Sequence, residues 1–130
     1  MASVTDLEIY LLKPDVQTLK LWLEDALGTL ESTRSTDIEQ ADANAPQRWV
    51  HSDSRMLIVY TPKADGNFGC LWFKTNQTPW QTDLDCARSA HAALAVEVRC
   101  AATEWSEQQQ DDEPGWIKLI RGEEKPFHWH

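Results

Sequence analysis

Basic residues and long apolar stretches are scarce in this chain of 130 residues. It holds 12 Lys and Arg against 21 Asp and Glu, which gives a net charge of −9 at pH 7. Binding to nucleic acid or to an anionic membrane surface depends on clustered basic residues, so we expect neither partner. No window approaches the roughly 18 apolar residues of a membrane-spanning helix, and no secretory signal precedes the first strand. These absences predict a cytoplasmic protein.

Cysteine is also sparse. Cys70, Cys86 and Cys100 are the only three in the sequence, and no C-x-x-C spacing is present. An odd number without paired spacing does not suit a disulfide framework, and free cysteines are usually buried as small apolar residues. We therefore expect three free thiols in a reducing compartment.

The sequence contains none of the common catalytic or nucleotide-binding motifs. It lacks a phosphate-cradling glycine loop and the G-x-S-x-G and H-E-x-x-H patterns. We therefore expect no cofactor, and the question of enzymatic activity stays open, with the balance against it. Its length and its 42% content of hydrophobic residues predict a single globular domain over residues 1–130.

Two apolar runs dominate the middle of the chain. Met56–Thr61 and Phe68–Phe73 flank a turn that contains Asp65-Gly66, so they predict a β-hairpin. Side chains of a strand alternate between the two faces of its sheet. In both runs the odd and the even positions are both apolar, so each face of the hairpin is apolar. We therefore expect both faces to be covered.

Other segments have clearer local patterns. Residues 7–11 alternate as a first strand, and Asp15 caps a helix that stops at Gly28. Residues 116–121 predict a returning strand. A second helix follows Thr82, because apolar residues recur at spacings of three and four: Leu84, Ala87, His91, Leu94, Val98, Ala101 and Trp105. We interpret this as one long helix, although Val96–Cys100 also alternates as a strand would.

This order of elements predicts an α+β fold. Without a short strand near Arg48 it is the βαββαβ order of the ferredoxin-like fold. We therefore expect an antiparallel sheet of four to five strands with two helices on one face. The predicted buried layer beneath the helices consists of Ile9, Leu71, Phe73, Ile117 and Leu119.

The opposite face of such a sheet is also apolar. It carries Tyr10, Leu12, Trp72, Trp116 and Ile120. Large exposed apolar patches are rare on soluble monomers. Three covers are available: a second copy of the chain, its own tail with residues 31–54, or a separate protein partner. Dimerisation is the first choice.

By element order alone the chain resembles two known groups. One is the dimeric α+β-barrel group, whose ferredoxin-like subunits pack sheet to sheet, and which includes small monooxygenases and ligand-binding domains. The other is the small acidic secretion chaperones. This chain differs from their pattern in two ways, because it begins with a strand and lacks a final helix. These resemblances imply a dimer or a partner-binding protein.

Aromatic residues supply the candidate partner-binding set. Seven tryptophans are several times the usual share, and tryptophan is enriched at binding hot spots. The predicted partner-binding residues are Tyr10, Trp49, Trp72, Trp80, Trp116 and Trp129. We expect four or five of the seven tryptophans to be structural, and Trp49, Trp80 and Trp129 are the best candidates for a binding surface because they adjoin loops and the tail.

Histidines supply the candidate ligand pocket and one weak candidate for a metal site. His51 and Asp53 adjoin the polar segment, and His91 lies on the apolar stripe of the second helix. The pair His128 and His130 has the spacing of two ligands, but no third ligand is evident, so we predict no metal.

The leading hypothesis is a binding or adaptor module, a homodimer or bound to a protein partner. The alternative is a small-ligand protein or enzyme with a pocket between the sheet and residues 31–54.

Overall fold

A computed structural model describes residues 6–32, 46–101 and 115–127 of the protein. The described chain forms two helices and eight strands. Their bounds are β1 Leu7–Leu12, α1 Val16–Leu27, β2 Leu30–Ser32, β3 Gln47–His51, β4 Leu57–Asp65, β5 Phe68–Lys74, α2 Asp83–Leu94, β6 Val98–Ala101, β7 Trp116–Ile120 and β8 Glu123–Phe127.

All eight strands belong to one sheet, in the order β2-β3-β4-β5-β1-β6-β7-β8. Every neighbouring pair is antiparallel. The first strand of the chain therefore lies in the middle, between β5 and β6. Each edge strand is limited as a site for further strand pairing. β2 has only three residues, and β8 contains Pro126, which has no backbone N–H to donate.

The predicted ferredoxin-like sheet of four to five strands is wrong. The sheet has eight strands, and the returning strand β7 does not pair with β1. β6 occupies that position, with Leu11 opposite Val98. The short β2 and the terminal β8 extend the sheet further at its two edges.

The predicted long second helix is also wrong beyond Leu94. The helix begins where expected, since the Thr82 side chain accepts a hydrogen bond from the Asp85 amide. It ends at Ala95, which is in the left-handed conformation with φ 59° and ψ 33°. Val98 and Ala101, predicted on the helix, lie in β6, and Trp105 lies outside the described residues.

Both helices pack on the same face of the sheet. The buried cluster contains Leu19 and Leu23 of α1, Leu84 and Ala87 of α2, and the strand residues that share one face by register. The predicted buried layer is confirmed, since its members are 0–2% exposed: Ile9, Leu71, Phe73, Ile117 and Leu119. Trp22 joins the helices by donating a hydrogen bond from Nε1 to Ser89 Oγ at 3.1 Å.

The other side of the sheet carries no helix of the described residues. We call it the open face. By strand register it comprises Glu31 of β2; Arg48 and Val50 of β3; Leu57, Val59 and Thr61 of β4; Phe68, Cys70, Trp72 and Lys74 of β5; Glu8, Tyr10 and Leu12 of β1; Arg99 and Ala101 of β6; Trp116, Lys118 and Ile120 of β7; and Glu123, Lys125 and Phe127 of β8.

Among the described residues, neither helix has the length and apolar character that crossing a bilayer requires.

Candidate functional site

The centre of the open face is a carboxylate shared by two side chains. Glu8 Oε2 accepts hydrogen bonds from Cys70 Sγ at 3.2 Å and from the Tyr10 hydroxyl at 3.5 Å. Tyr10 and Cys70 are directly opposite each other on β1 and β5. Burial and the negative charge of Glu8 raise the pKa of Cys70 to about 12. Burial, followed by the charges of Cys70 and Glu8, raises the pKa of Tyr10 in the same direction. Both groups therefore stay protonated at neutral pH and act as hydrogen-bond donors.

A guanidinium held between two aromatic rings lies beside this group. The Arg99 guanidinium carbon is 4.1 Å from the Phe68 ring centroid and 4.7 Å from that of Phe127. Arg99 Nε donates to Glu97 Oε2 at 2.9 Å, and the two side chains are 18% and 12% exposed. Such stacked cations are attracted to the faces of the rings. Arg99 therefore ties β5, β6 and β8 together on the open face.

Other open-face rings also contact one another or a polar partner. Tyr10 and Trp116 meet edge to face with their centroids 5.7 Å apart. Trp72 donates from Nε1 to Asp6 Oδ2 at 3.1 Å. Phe68 is only 8% exposed, because Arg99 lies over its ring. The open face is thus an ordered aromatic surface whose rings are half-buried by their neighbours.

A second feature is a cleft of about 780 Å³ at the end of α2, which we call the α2 cleft. It is bounded by the last turn of α2, by residues 95–97 and by the turn between β7 and β8. Arg88 crosses one side and donates from Nε and Nη2 to the two oxygens of Glu124, at 2.7 and 3.0 Å. The predicted pocket residue His91 lines this cleft, but none of the described residues of the segment 31–54 does.

Both ring nitrogens of His91 are used by the backbone. Nδ1 donates to the Val96 carbonyl at 2.8 Å, and Nε2 accepts from the Gly122 amide at 3.0 Å. The proton of the neutral ring is therefore on Nδ1. His91 joins the end of α2 to the β7–β8 turn, and this arrangement is that of a structural residue.

His51 is placed elsewhere and has a comparable role. Its Nε2 donates to the Leu27 carbonyl at 2.6 Å, and its Nδ1 accepts from the Ser54 amide at 3.2 Å. It therefore connects the end of α1 to the turn after β3. Asp53 is exposed in that turn. The structure does not bring His51, Asp53 and His91 into one pocket.

The six predicted partner-binding aromatics divide into three groups. Tyr10, Trp72 and Trp116 share the open face. Trp49 is 3% exposed, and Trp80 stacks on Trp22 at 5.3 Å, so both belong to the helix side of the sheet. Trp129 lies outside the described residues. Partner binding by the open-face members stays a prediction.

The described cysteines are free. Cys86 and Cys100 are buried, and Cys70 is half-buried. Burial raises the pKa of Cys100 to about 12 and that of Cys86 well above its usual value. In the parts of the chain that the structure describes, no group of three or more His, Cys, Asp or Glu residues could hold a metal ion. His128 and His130 lie outside those parts.

Sequence reasoning missed Glu97, Arg99 and Arg121 as site residues. The alternation of Val96–Cys100 was the available indication that Glu97 and Arg99 share a strand face. The periodicity of the helix concealed it. The Arg121-Gly122 turn was assigned only as the end of a strand, so the cleft beneath it was not foreseen.

The geometry stands alone as the guide to function. Comparison of the chain with protein-family models, with curated proteins and with solved structures gives no match.

Proposed function

We propose that the protein is a binding module that pairs with a second copy of itself through the open face. The observation that carries this proposal is a continuous aromatic surface on the side of the sheet opposite both helices. Trp72 on β5 and Tyr10 on β1 lie in adjoining strands, Trp116 on β7 reaches the Tyr10 ring across β6, and all three remain partly accessible. Apolar surface of this kind marks interaction sites on soluble proteins.

The size of the face fits a dimer. Eight strands at a spacing of about 4.8 Å give a width of about 34 Å, and strands of six residues are about 20 Å long. The footprint is therefore on the order of 700 Å². A standard stable interface takes about 800 Å² from each partner. One open face thus offers nearly all the area that a two-fold dimer needs.

Part of the charge on the open face is already paired within the chain. Arg99 is paired with Glu97, and Lys125 Nζ lies 3.3 Å from Glu123 Oε1. Unpaired charges oppose burial because they lose hydration without compensation. A second open face can therefore cover these two pairs, whereas Lys118, which lies over the Phe127 ring, and Arg48 of β3 must keep their charged groups hydrated. A two-fold arrangement is the commonest way to place identical surfaces together.

Light scattering coupled to size exclusion tests the proposal over a series of protein concentrations. We expect the wild-type chain at twice its monomer mass. Trp72→Arg replaces a half-buried aromatic ring of the open face with a flexible, hydrated cation, which removes apolar contact area from the interface. This variant should be monomeric.

Leu21→Arg is the matched control, because Leu21 is 66% exposed on α1 and lies on the opposite layer. It should remain dimeric. A wild-type chain that is monomeric at every concentration, or a Trp72→Arg dimer as stable as the wild type, contradicts the proposal.

The cytoplasm and a non-enzymatic role belong to the same proposal. Three free thiols suit a reducing compartment. His51 and His91 both use their two ring nitrogens in hydrogen bonds that hold loops in place, which supports binding rather than catalysis. The acidity of the chain supports a partner other than nucleic acid or a membrane.

A further inference from the structure

The α2 cleft has the dimensions and the lining of a small-molecule site. Ligand sites in proteins are concave, mostly apolar, and about 300–1,000 Å³ in volume. This cleft measures about 780 Å³, and its apolar surface comes mainly from the half-buried side chains of Leu12, Val96 and Ile120. These side chains offer no hydrogen-bonding group, so they suit an aliphatic chain.

The charged side chains around the cleft differ in whether they have an ion-pair partner within the chain. Each of its three carboxylates has a cation within the chain: Glu97 pairs with Arg99, Glu123 with Lys125, and Glu124 with Arg88. Arg121 also lines the cleft. Among the described residues it makes no ion pair or hydrogen bond through its side chain. The cleft therefore presents one uncommitted guanidinium beside an apolar surface.

We propose that the α2 cleft binds a small amphipathic carboxylate. Its aliphatic chain packs on Val96 and Ile120, and its carboxylate pairs with Arg121, whose planar guanidinium matches carboxylate geometry. The end of α2 carries partial negative charge, so the anion depends on Arg121 for retention. A cationic amphiphile finds no uncommitted carboxylate in the same cleft. This proposal does not depend on the dimer.

Calorimetric titration tests it with two probes of equal chain length, decanoate and decyltrimethylammonium, below their micellar concentrations. We expect decanoate to bind and the cation not to bind. Arg121→Asn should weaken decanoate binding about fivefold. Arg121 and Gly122 both have positive φ in a two-residue hairpin turn, where asparagine before glycine is favoured. This variant should therefore keep its fold. Lys20→Ala on α1 is the matched loss of charge and should leave binding unchanged.

A second pair of variants tests the location. Ala92 lines the cleft and Ala93 does not, and both are exposed on α2. Ala92→Trp should abolish decanoate binding, and Ala93→Trp should not. The titration is repeated on Trp72→Arg, because Leu12 and Ile120 lie on the open face and a second copy could close the cleft. Absence of decanoate binding to both proteins, equal binding of the two probes, or binding unaffected by Arg121→Asn or by Ala92→Trp overturns the proposal.

Discussion

The thiol of Cys70 illustrates how one contact controls reactivity at the scale of the residue. Burial and Glu8 raise its pKa to about 12, so little thiolate is present at pH 8. We expect its reaction with a disulfide reagent such as Ellman's reagent to be about a hundredfold slower than that of free cysteine, since the stronger nucleophilicity of the thiolate offsets part of the shift.

Glu8→Gln should accelerate that reaction, because it removes the negative charge that opposes ionisation. Glu123→Gln removes an equal charge from β8 of the same face and serves as the control. The measurement is the rate of thiol modification in the folded protein. Equal rates for the two variants would show that Glu8 has no influence on Cys70.

Gly69 is a second residue whose identity is determined by a neighbour. It lies on β5, and a Cβ at this position would come within 2.6 Å of Cε1 of Tyr60. The Tyr60 ring thus lies across the glycine. Overpacking of this kind costs about 1–3 kcal/mol, so Gly69→Ala should lower the free energy of unfolding by that amount in urea denaturation.

The double variant Gly69→Ala, Tyr60→Ala provides the check on this cause. With the ring removed, the added methyl group meets no obstacle, so the double variant should lose less stability than the two single variants together. Additive losses would place the cost of Gly69→Ala elsewhere.

At the scale of the element, the end of α2 depends on a residue that local preference does not favour. Ala95 adopts the left-handed conformation, which costs a residue with a Cβ about 1–2 kcal/mol. His91 offsets this cost, because its carbonyl accepts from the Ala95 amide and its ring bonds to Val96 and Gly122. Pairing of β6 with β1 and β7 then holds the following residues extended.

Ala95→Gly should therefore raise the free energy of unfolding by about 1 kcal/mol, because glycine adopts positive φ without steric cost. Ala93→Gly makes the same chemical change within the helix and should lower it by about 0.5–1 kcal/mol. Thermal and urea unfolding measure both. A loss of stability in both variants would contradict the left-handed end of α2.

The role of the β7–β8 hairpin also depends on its contacts with other elements. Its residues were predicted as a strand followed by an aromatic tail, but β8 pairs along the whole of β7, with Trp116 opposite Phe127. Glu124 on this strand binds Arg88 of α2. The hairpin therefore completes both the open face and the α2 cleft.

At the scale of the whole molecule, the sheet is assembled from distant segments. β1 pairs with β5 and with β6, which follow it by more than 50 residues. Loop closure must precede such contacts, so proteins of this kind fold in milliseconds to seconds. We expect refolding by stopped-flow tryptophan fluorescence to fall in that range. Complete refolding within microseconds would show that local structure, not the central strand, limits the rate.

Local chemistry in the sequence was sufficient to predict the first strand, the caps at Asp15 and Thr82, the central hairpin and the buried layer. Each of these depends on residues close in sequence or on alternation along one strand. The same pattern also placed Tyr10, Trp72 and Trp116 together, since their parity on the strands does not depend on the order of the sheet.

The tertiary structure alone decided where α2 ends, how many strands the sheet has and which cavities form. The apolar residues of 96–101 fit both a helical and an extended periodicity. Only the pairing of this segment with β1 on one side and with β7 on the other favours the strand. Trp49 is buried and Trp80 is half-buried on the helix side of the sheet, where Trp80 stacks on Trp22 of α1, and no local pattern encodes these contacts. The α2 cleft likewise arises where a helix end meets a hairpin turn distant in sequence, so its chemistry depends on contacts between segments.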